Sequence, residues 1–559
     1  MADDRLILDH VYAHEAAQPD RIYLTQPVGA GAAVDYTWAQ VLDQARRMAA
    51  HLRSRGLGDG DRIAILSKNC AHFFMAELAI WMAGGTTVAI YPTELAATVR
   101  YVLEHSESRL LFVGKLDTWE QQAAGVPEGL PVIAFPLAPA TVQPRWDDVA
   151  ARHAPVPGRP ARAPADLAML VYTSGSTGEP KGVMHSFEGI TRATECIVAR
   201  LTENWGTDAY QRVLSYLPLA HVYERAFVEC ATLMSGVTRV YFAESLDTFL
   251  ADLQRARPTS FLSVPRLWMR FQQGVFARMP RRKLDLLLRV PILRRVVARK
   301  VLAGLGLDQA VMAGSGSAPL PPEVLTWYRR LGLKLLEGYA MSEDFACSHS
   351  STDSHNLPGW VGVAYPGVQV RIDDGGEVLI KSPGRLVGYF KRPDLDADCF
   401  TPDGFFRTGD MGELRPDGLL KITGRVKEQF KTAKGKYVAP APIENLLNAH
   451  PLVESSLVSG VGQPAPYAMV VLAEHLRPRL AEAGVRAEVE QSLAALLADA
   501  NARLANYERL RMLVVAREPW SVENGCLTPT MKIKRARIEG AVADRVEGWY
   551  GAQGAVIWA

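Results

Sequence analysis

Short β-rich runs alternate with stretches of helical periodicity through about the first 420 residues, and this alternation constrains the fold more than any other feature. The runs predict strands, among them residues 61–67, 167–173 and 238–243. Strands that alternate with helices along a chain pack as helical layers on largely parallel sheets. Ligands in such sheets bind at loops that follow the carboxyl ends of strands. The sequence therefore predicts an α/β fold with its ligand sites in those loops.

The most apolar stretch, residues 73–92, is interrupted by Glu77 and by the pair Gly84–Gly85. It therefore lacks the uninterrupted run of about 18 apolar residues that a membrane-spanning helix requires. We predict instead a buried helix, which includes the amphipathic stretch from Ala71 to Met82, then a glycine turn and a core strand.

The alternation of predicted strands and helices gives way to a different pattern near residue 368, and the pattern changes again near residue 425. Asp-Gly and Gly-Gly pairs between alternating runs predict β-hairpins over residues 368–424. Beyond Arg425 the chain predicts helices at 442–449 and 485–505 and a basic helix from Met531. We place a domain boundary here. Residues 1–424 form a large N-terminal domain of layered α/β subdomains with a small β-rich subdomain, and residues 425–559 form a small, mobile α+β C-terminal domain.

The overall charge and the cysteines exclude several classes of function. Lys and Arg number 62 against 60 Asp and Glu, so the basic face that nucleic-acid binding requires is not indicated. The six scattered cysteines contain no C-x-x-C pair, which argues against a metal site or a disulfide framework and fits a reducing cytoplasm. The acidic N-terminus lacks the apolar core of a signal peptide. We expect a cytoplasmic protein that binds no nucleic acid; its oligomeric state stays open.

Residues 278–302 depart from this neutral balance, with nine basic residues against one acid and with leucines and valines at helical spacing. Two interpretations are open. The segment is a basic amphipathic surface that makes a peripheral contact with anionic lipid, or it is a pair of helices, broken at Pro291, that pack one face inward and solvate the other. The second is favoured because a charged solvent face is usual for amphipathic helices.

The stretch YTSGSTGEPKG, residues 172–182, follows a predicted strand directly. No Walker A motif can be threaded through it. Its glycines let backbone N–H groups approach an anion, its hydroxyls donate hydrogen bonds, and Lys181 adds a positive charge. A phosphate-binding loop is one interpretation and an ordinary surface turn the other. The candidate residues are Thr173, Ser174, Gly175, Ser176, Thr177, Gly178 and Lys181.

Five further stretches follow this loop in order: LPLAHVYER (217–225), MAGSGSAPL (312–320), LLEGYAMSED (335–344), the long stretch 403–445 and LTPTMKIKR (527–535). Together the six motifs resemble the adenylate-forming superfamily of acyl-CoA synthetases, luciferases and peptide-synthetase adenylation domains. Residues 403–445 and 217–225 resemble the long-chain fatty acyl-CoA synthetase branch in particular. The resemblance covers roughly residues 30–559.

The resemblance implies where ATP and Mg²⁺ bind. The loop at 172–182 would cradle the β- and γ-phosphates of ATP. Tyr339 would stack on adenine, Ser342 would contact phosphate and Glu343 would help to hold Mg²⁺, although Ala340 and Ser342 replace the family's usual glycine and threonine. The other expected nucleotide-binding residues are Gly314, Ser315, Gly316, Glu337, Gly338, Asp410 and Arg425.

The resemblance also implies a two-step reaction of a fatty acid with ATP and then with coenzyme A. Lys532 would be the catalytic lysine of the first step, and Lys427 the hinge about which the C-terminal domain turns. His221 would lie near the acyl carboxylate, although a satisfied core histidine is an equally open interpretation. Candidates for the coenzyme A step are Lys431, Lys434 and Gly435.

Two alternatives to this reaction stay open, because the motifs of the first step would be the same in each. One is a ligase that loads an acyl carrier protein, and the other is a regulatory protein that binds nucleotide and acyl chain without catalysis. The sequence leaves the length of the acyl chain undetermined.

Overall fold

The computed structural model of the chain describes residues 4–174, 179–205, 210–528, 531–552 and 554–559. It is a mixed α/β protein in which three sheets and their helices precede a small antiparallel sheet, followed by a separate α+β part. The predicted order of α/β layers, hairpins and α+β segment is confirmed.

A seven-stranded sheet carries the predicted phosphate loop. Five of its strands are parallel, and the two at one edge are antiparallel. Its strands, in spatial order, are Gly388–Tyr389, Pro180–Ser186, Leu167–Ser174, Thr86–Ile90, Arg62–Leu66, Leu110–Val113 and Val132–Ala134. The glycine-rich stretch therefore begins at the carboxyl end of Leu167–Ser174, as the alternation predicts.

Three further sheets complete the N-terminal part. The first sheet is mixed, and the second is parallel at one end and antiparallel at the other. The third is antiparallel throughout, as the hairpin signals predict. The first contains, in spatial order, Ala32–Thr37, Ile22–Gly29, Thr238–Phe242 and Gln211–Ser215. The second contains Ser260–Ser263, Met312–Ser315, Leu335–Tyr339, His349–Ser350 and Val363–Ala364. The third contains Gln369–Ile372, Glu377–Lys381, Phe406–Leu414 and Leu420–Arg425.

One helix of the N-terminal part is buried, as predicted. The helix runs from Ala71 to Ala83, and all 13 of its residues are buried, so the stretch has no polar face toward solvent. The helix contacts the helix Trp38–Ser54 and strands of two different sheets, so protein covers it on all sides.

The other helices of this part lie at Ile7–Ala17, Ala96–His105, Trp119–Gln122, Trp146–Ala150, Phe187–Trp205, Val222–Glu224, Ala231–Ser235, Phe249–Ala256, Pro265–Arg278, Arg281–Leu287, Pro291–Gly304, Pro322–Arg330 and Pro393–Asp398, with a π-helical turn at Arg225–Cys230. Nowhere in the described ranges is a helix both long and apolar enough to cross a bilayer.

The C-terminal part has apolar clusters of its own, and their described members all lie at or beyond Phe430. Its elements are a hairpin of Phe430–Lys431 and Tyr437–Val438, the sheet strands Val453–Ser459, Tyr467–Leu472, Leu513–Val515 and Val556–Trp558, and the helices Pro440–Asn448, Val485–Arg503, Arg535–Val542 and Val546–Gly551. The boundary at 424/425 and the mobility of this part stay predictions.

The basic helix predicted from Met531 begins four residues later, at Arg535. Met531 has a φ of +63°, which no right-handed helix accommodates, and Ile533 pairs with Leu527 as an isolated bridge. Lys532 therefore lies in a short extended loop.

Candidate active site

An acidic side chain, a guanidinium and a phenol form the nucleoside side of the candidate site. Asp410 and Arg425 lie opposite each other on adjacent antiparallel strands, and Arg425 Nε is 2.9 Å from Asp410 Oδ1. Tyr339 OH donates to Asp410 Oδ2 at 2.7 Å. Burial raises the pKa of Asp410, and Arg425 opposes that rise. Three residues from two distant motifs are thus joined around one carboxylate.

Lys532 reaches this cluster from the C-terminal part. Its pKa is lowered, first because the surrounding protein displaces bulk water and then because Arg425 is nearby; Asp410 and Glu343 act in the opposite direction. The residue nevertheless remains exposed to solvent. Two bonds with Thr528 hold its backbone: Lys532 N–H donates to Oγ1 at 3.0 Å, and its carbonyl accepts at 2.8 Å.

His221 lies in the same cleft, where Lys532 contributes to its electrostatic environment. Its Nδ1 accepts from the backbone N–H of Tyr223 at 3.1 Å, so its proton is on Nε2. Burial, with a smaller contribution from Lys532, lowers the pKa of His221 to about 3. The imidazole is therefore neutral at physiological pH and can donate one hydrogen bond from Nε2.

A buried carboxyl group, which sequence reasoning missed, fixes the segment that carries His221. Glu224 Oε1 accepts from Ser215 Oγ at 2.7 Å, Tyr216 N at 3.1 Å and Asn69 Nδ2 at 3.2 Å. Burial outweighs these donors and raises the pKa of Glu224 to about 8. This role is visible only in the folded structure, because Asn69 is 155 residues away from Glu224 in the sequence.

Glu224 makes stability depend on pH. Its carboxyl group ionises near pH 4.5 in the unfolded chain and near pH 8 in the folded one, so the unfolded state alone loses the proton between these values. Relative to Glu224→Gln, the wild type should lose about 1.4 kcal/mol of stability per pH unit from pH 4.5 to pH 8 and no more above it. Urea unfolding at a series of pH values measures this, with Glu188→Gln on the exposed surface as the matched control. Parallel profiles for wild type and Glu224→Gln would contradict it.

Glu343 is held by a residue that the motifs did not reveal. Tyr389 OH donates to Glu343 Oε1 at 2.9 Å, while Lys181 Nζ lies 5.8 Å from the centroid of the same ring. Tyr389 thus stands between the lysine of the phosphate loop and the carboxylate predicted to hold Mg²⁺. Tyr389 is positioned by its pairing with Val183 on the neighbouring strand. The spacing of residues in the sequence does not indicate this pairing.

The turn that contains Glu343 is also tied to the phosphate-loop strand through its backbone. His185 Nε2 donates to the Ser342 carbonyl at 2.8 Å, and the Glu343 carbonyl accepts from Leu386 N at 2.7 Å. His185 is fully buried, which lowers its pKa to about 4. These bonds fix the direction of the Glu343 side chain.

The donor set around Glu343 fits Mg²⁺ bound together with ATP. Its Oε2 has no hydrogen-bond partner among the described residues, and the side chain is half-buried. In the same part of the chain, no three His, Cys, Asp or Glu side chains converge in a way that could hold a metal. Mg²⁺ is commonly held by one or two carboxylates plus substrate phosphates and water. A single carboxylate is therefore sufficient.

The small residues of 312–320 leave space beside two buried polar atoms. A Cβ on Gly314 would lie only 2.7 Å from Leu262 Cδ2, so glycine is needed there for a close approach, whereas one on Gly316 would make an ordinary contact of 3.4 Å with the Tyr223 ring. On the paired strands, Ser315 lies opposite Glu337. Ser315 Oγ and Glu337 Oε2 are buried without a hydrogen-bond partner in the described residues. They are available to a ligand.

The remaining predicted residues are less well placed. Gly175, Ser176, Thr177 and Gly178 lie outside the described residues, as does the side chain of Ser174, whereas Thr173 pairs with Lys181 at the base of the loop. Gly338 pairs with Ser350 beside Tyr339. Lys427 is exposed in the turn Val426–Glu428. Lys431, Lys434 and Gly435 are exposed on the hairpin that follows, and their predicted role is untested.

Two family profiles match the chain. One described as AMP-binding enzyme covers residues 11–390, and one described as AMP-binding enzyme C-terminal domain covers residues 427–554. A curated relative, the long-chain-fatty-acid–CoA ligase FadD15 of Mycobacterium bovis, is 32% identical over 97% of this chain and 96% of its own length. Long-chain-fatty-acid–CoA ligase 1 of Homo sapiens is 28% identical over 87% of this chain and 78% of its own.

Solved structures share the fold. The A-PCP didomain of carboxylic acid reductase from Segniliparus rugosus in complex with AMP matches with a TM-score of 0.80 at 22% identity, covering 98% of this chain and 82% of that one. This likeness concerns the fold alone, and it confirms the expected large N-terminal and small C-terminal domains. From the two profiles and the near full-length relative it follows that the chain belongs to the AMP-binding enzyme family.

Proposed function

We propose that this protein is a long-chain fatty acid–CoA ligase that forms an acyl-AMP from a fatty acid and ATP and then transfers the acyl group to coenzyme A. The observation that carries the proposal is that Glu343 and the ion-paired Asp410 and Arg425 all lie close enough to Lys532 to influence the pKa of its ammonium. A binding protein without catalysis has no need of a lysine brought to this cluster from the C-terminal part. The names of the two curated relatives support the choice of acid and acceptor.

In the first step a fatty acid carboxylate oxygen attacks the α-phosphorus of ATP. An oxygen–phosphorus bond forms, the bond to the β-phosphate bridge breaks, and pyrophosphate leaves. Both reactants are anions, so the ammonium of Lys532 offsets their repulsion and the charge that develops on the α-phosphate. His221 is neutral and carries its proton on Nε2. It is therefore suited to donate a hydrogen bond to the acyl carboxylate without adding a further positive charge.

The other residues of the cleft bind and orient the nucleotide. Asp410 would accept hydrogen bonds from the ribose hydroxyls, Arg425 would sit by the same ribose or the phosphate, and Tyr339 would stack on the adenine. Lys181 and the glycine-rich loop would take the β- and γ-phosphates. Mg²⁺, held by Glu343 and the phosphates, would neutralise part of their charge.

In the second step the sulfur of coenzyme A attacks the acyl carbonyl carbon, the carbon–oxygen bond to AMP breaks, and the thiol proton is released. Activation as a mixed anhydride divides one difficult substitution into two easier ones. Lys427 is the proposed hinge for the intervening rotation, and Lys431, Lys434 and Gly435 are candidates for the coenzyme A side.

The test is ATP-dependent release of AMP with carboxylic acids from acetate to oleate, with and without coenzyme A. Turnover that peaks at long chains and requires coenzyme A is the expected result. Accumulation of acyl-AMP regardless of coenzyme A would favour loading of an acyl carrier protein instead. A protein that binds ATP and acid but turns over neither would be the non-catalytic regulator.

Tyr389 provides a more local test of the metal site. We expect Tyr389→Phe to weaken binding of ATP with Mg²⁺ by about tenfold, because a hydrogen bond to a charged group contributes roughly 1.5–3 kcal/mol and tenfold corresponds to about 1.4 kcal/mol. Binding of AMP without metal should stay unchanged. Isothermal titration calorimetry measures both affinities.

The control for this substitution is Tyr210→Phe, which removes a tyrosine hydrogen bond of 2.9 Å to the Ile22 carbonyl and leaves the cleft intact. If Tyr389→Phe weakens AMP and ATP equally, Tyr389 has a purely structural role.

A further inference from the structure

Two cysteines that the proposed reaction does not use lie in contact beside the turn that carries Glu343. Cys347 follows Glu343 by four residues and is fully buried. Cys196 lies on the helix Phe187–Trp205 and is only half-buried. The two thiols are hydrogen-bonded to each other. Because the two cysteines are far apart in the sequence, the fold alone brings them together.

The register of two short strands independently places Cys196 against Cys347. The strands His349–Ser350 and Val363–Ala364 are antiparallel, and one further backbone hydrogen bond extends their pairing. Continued in the same register, this ladder sets Cys347 opposite Pro366. Cys196 Sγ donates to the Pro366 carbonyl at 3.3 Å. The half-buried thiol therefore touches the residue that faces the buried one.

The two sulfur atoms differ as an attacking and a resolving cysteine do. The hydrogen bond with Cys347 lowers the pKa of Cys196, whereas the same bond and burial raise the pKa of Cys347. Burial raises the pKa of the other four cysteines of the chain: Cys70, Cys230, Cys399 and Cys526. The thiolate is the reactive form, and an oxidant must reach it from solvent. Cys196 is therefore the thiol that an oxidant should attack first.

We propose that Cys196 and Cys347 form a reversible disulfide on exposure to hydrogen peroxide and that this bond regulates the nucleotide site. The Cys196 thiolate attacks one peroxide oxygen, the O–O bond breaks, and hydroxide leaves and recovers the proton that the thiol had given up. The sulfur of Cys347 then attacks the resulting sulfenic acid, the S–O bond breaks, and the hydroxyl group leaves with the Cys347 proton as water. Two thiols are thus oxidised to one disulfide while one peroxide is reduced to two waters.

The disulfide would displace the turn that carries Glu343. An S–S bond is shorter than any hydrogen bond between thiols, so the segment from Glu343 to Cys347 must move toward the helix Phe187–Trp205. Phe345 and Ala346, within this segment, have left-handed φ values of +50° and +59°, which leave little freedom to absorb the movement locally. Oxidation should therefore weaken binding of ATP with Mg²⁺, an effect that rests on the proposed role of Glu343.

The first experiment treats the reduced full chain with hydrogen peroxide, alkylates the remaining thiols and maps the cysteine peptides by mass spectrometry. We expect a disulfide between Cys196 and Cys347 that dithiothreitol reverses. In Cys347→Ala, Cys196 should stop at the sulfenic acid, which dimedone traps, and Cys196→Ser should form no disulfide. The control Cys399→Ser removes a half-buried cysteine outside the pair and should form the disulfide as the wild type does.

The second experiment titrates ATP with Mg²⁺ into the reduced and the oxidised wild type in a calorimeter. We expect oxidation to weaken binding by at least about tenfold, and dithiothreitol to restore it. Cys196→Ser should bind equally well before and after peroxide treatment. A reduced protein that bound no ATP would contradict the proposed function, while the peptide map would still decide whether the disulfide forms.

Two outcomes would overturn the proposal. One is a wild type in which Cys196 and Cys347 stay reduced while Cys399 or Cys526 is oxidised. The other is a disulfide that forms between the two cysteines but leaves the affinity for ATP with Mg²⁺ unchanged.

Discussion

Replacing Lys532 by alanine is expected to slow formation of acyl-AMP by about 100- to 1,000-fold, which is the loss seen when one preorganised charge-stabilising donor is removed from an active site. The ammonium lies near Asp410, Arg425 and Glu343 and is brought to them by the segment 527–535, more than 100 residues further along the chain. The second step should be nearly unaffected, because the acyl-AMP bond is already formed. Single-turnover measurement of acyl-AMP, and separately of thioester from added acyl-AMP, tests both statements.

The matched control is Lys534→Ala. Lys534 is two residues along the same segment and is exposed. It lies near Glu94, whose pKa is raised by burial, a rise that a hydrogen bond with Thr98 and the charge of Lys534 oppose. We expect the Lys534→Ala variant to catalyse adenylation at nearly the wild-type rate. If Lys534→Ala were inactive and Lys532→Ala active, the alignment of the catalytic lysine with this motif would be wrong by two positions.

Replacing Arg225 by methionine is expected to destabilise the protein by about 3–5 kcal/mol, the usual cost of leaving a buried charge without its partner. Arg225 is 1% exposed and Glu77 is fully buried, and the guanidinium binds both oxygens of that carboxylate. A second carboxyl group, Glu229, has an oxygen 3.0 Å from Arg225 Nε. Urea unfolding followed by circular dichroism measures the loss.

Two further variants distinguish the contribution of buried charge from that of lost packing to the instability of Arg225→Met. Burial and the nearby Glu77 raise the pKa of Glu229 well above its usual range, so this group keeps its proton and Glu229→Gln should be almost neutral. The double variant Glu77→Gln, Arg225→Met should recover part of the lost stability, since no charge is left buried. If the double variant were as unstable as Arg225→Met alone, lost packing would be the cause.

The sequence predicted strands of the main sheets and the position of the glycine-rich loop after one of them, because both depend on local alternation; the spatial order of the strands was not predicted. It also assigned Asp410, Tyr339 and Lys532 to one site, because each belongs to a recognisable motif. It could not predict Tyr389 or Arg225, whose partners are 46 and 148 residues away and are chosen by folding alone.

Local patterns predicted burial unevenly. The apolar stretch before Gly84–Gly85 was predicted as a buried helix, and every residue of the helix Ala71–Ala83 is buried. The segment 278–302 was predicted to pack one face inward and solvate the other, but the pattern did not predict that five large apolar side chains would be exposed there: Leu286, Val290, Ile292, Leu293 and Val296. Periodicity gives the element, whereas burial depends on how many neighbours the fold supplies.

Lys532 and Arg425 lie close enough that each cation disfavours the other in the cleft. The negative charge of a bound nucleotide would therefore offset the repulsion between these two side chains. ATP carries more negative charge than AMP, so the site balances its own charge best before the reaction and less well after pyrophosphate has departed. The two cations should therefore attract ATP more strongly than AMP, so that loss of pyrophosphate weakens the hold on the nucleotide that remains.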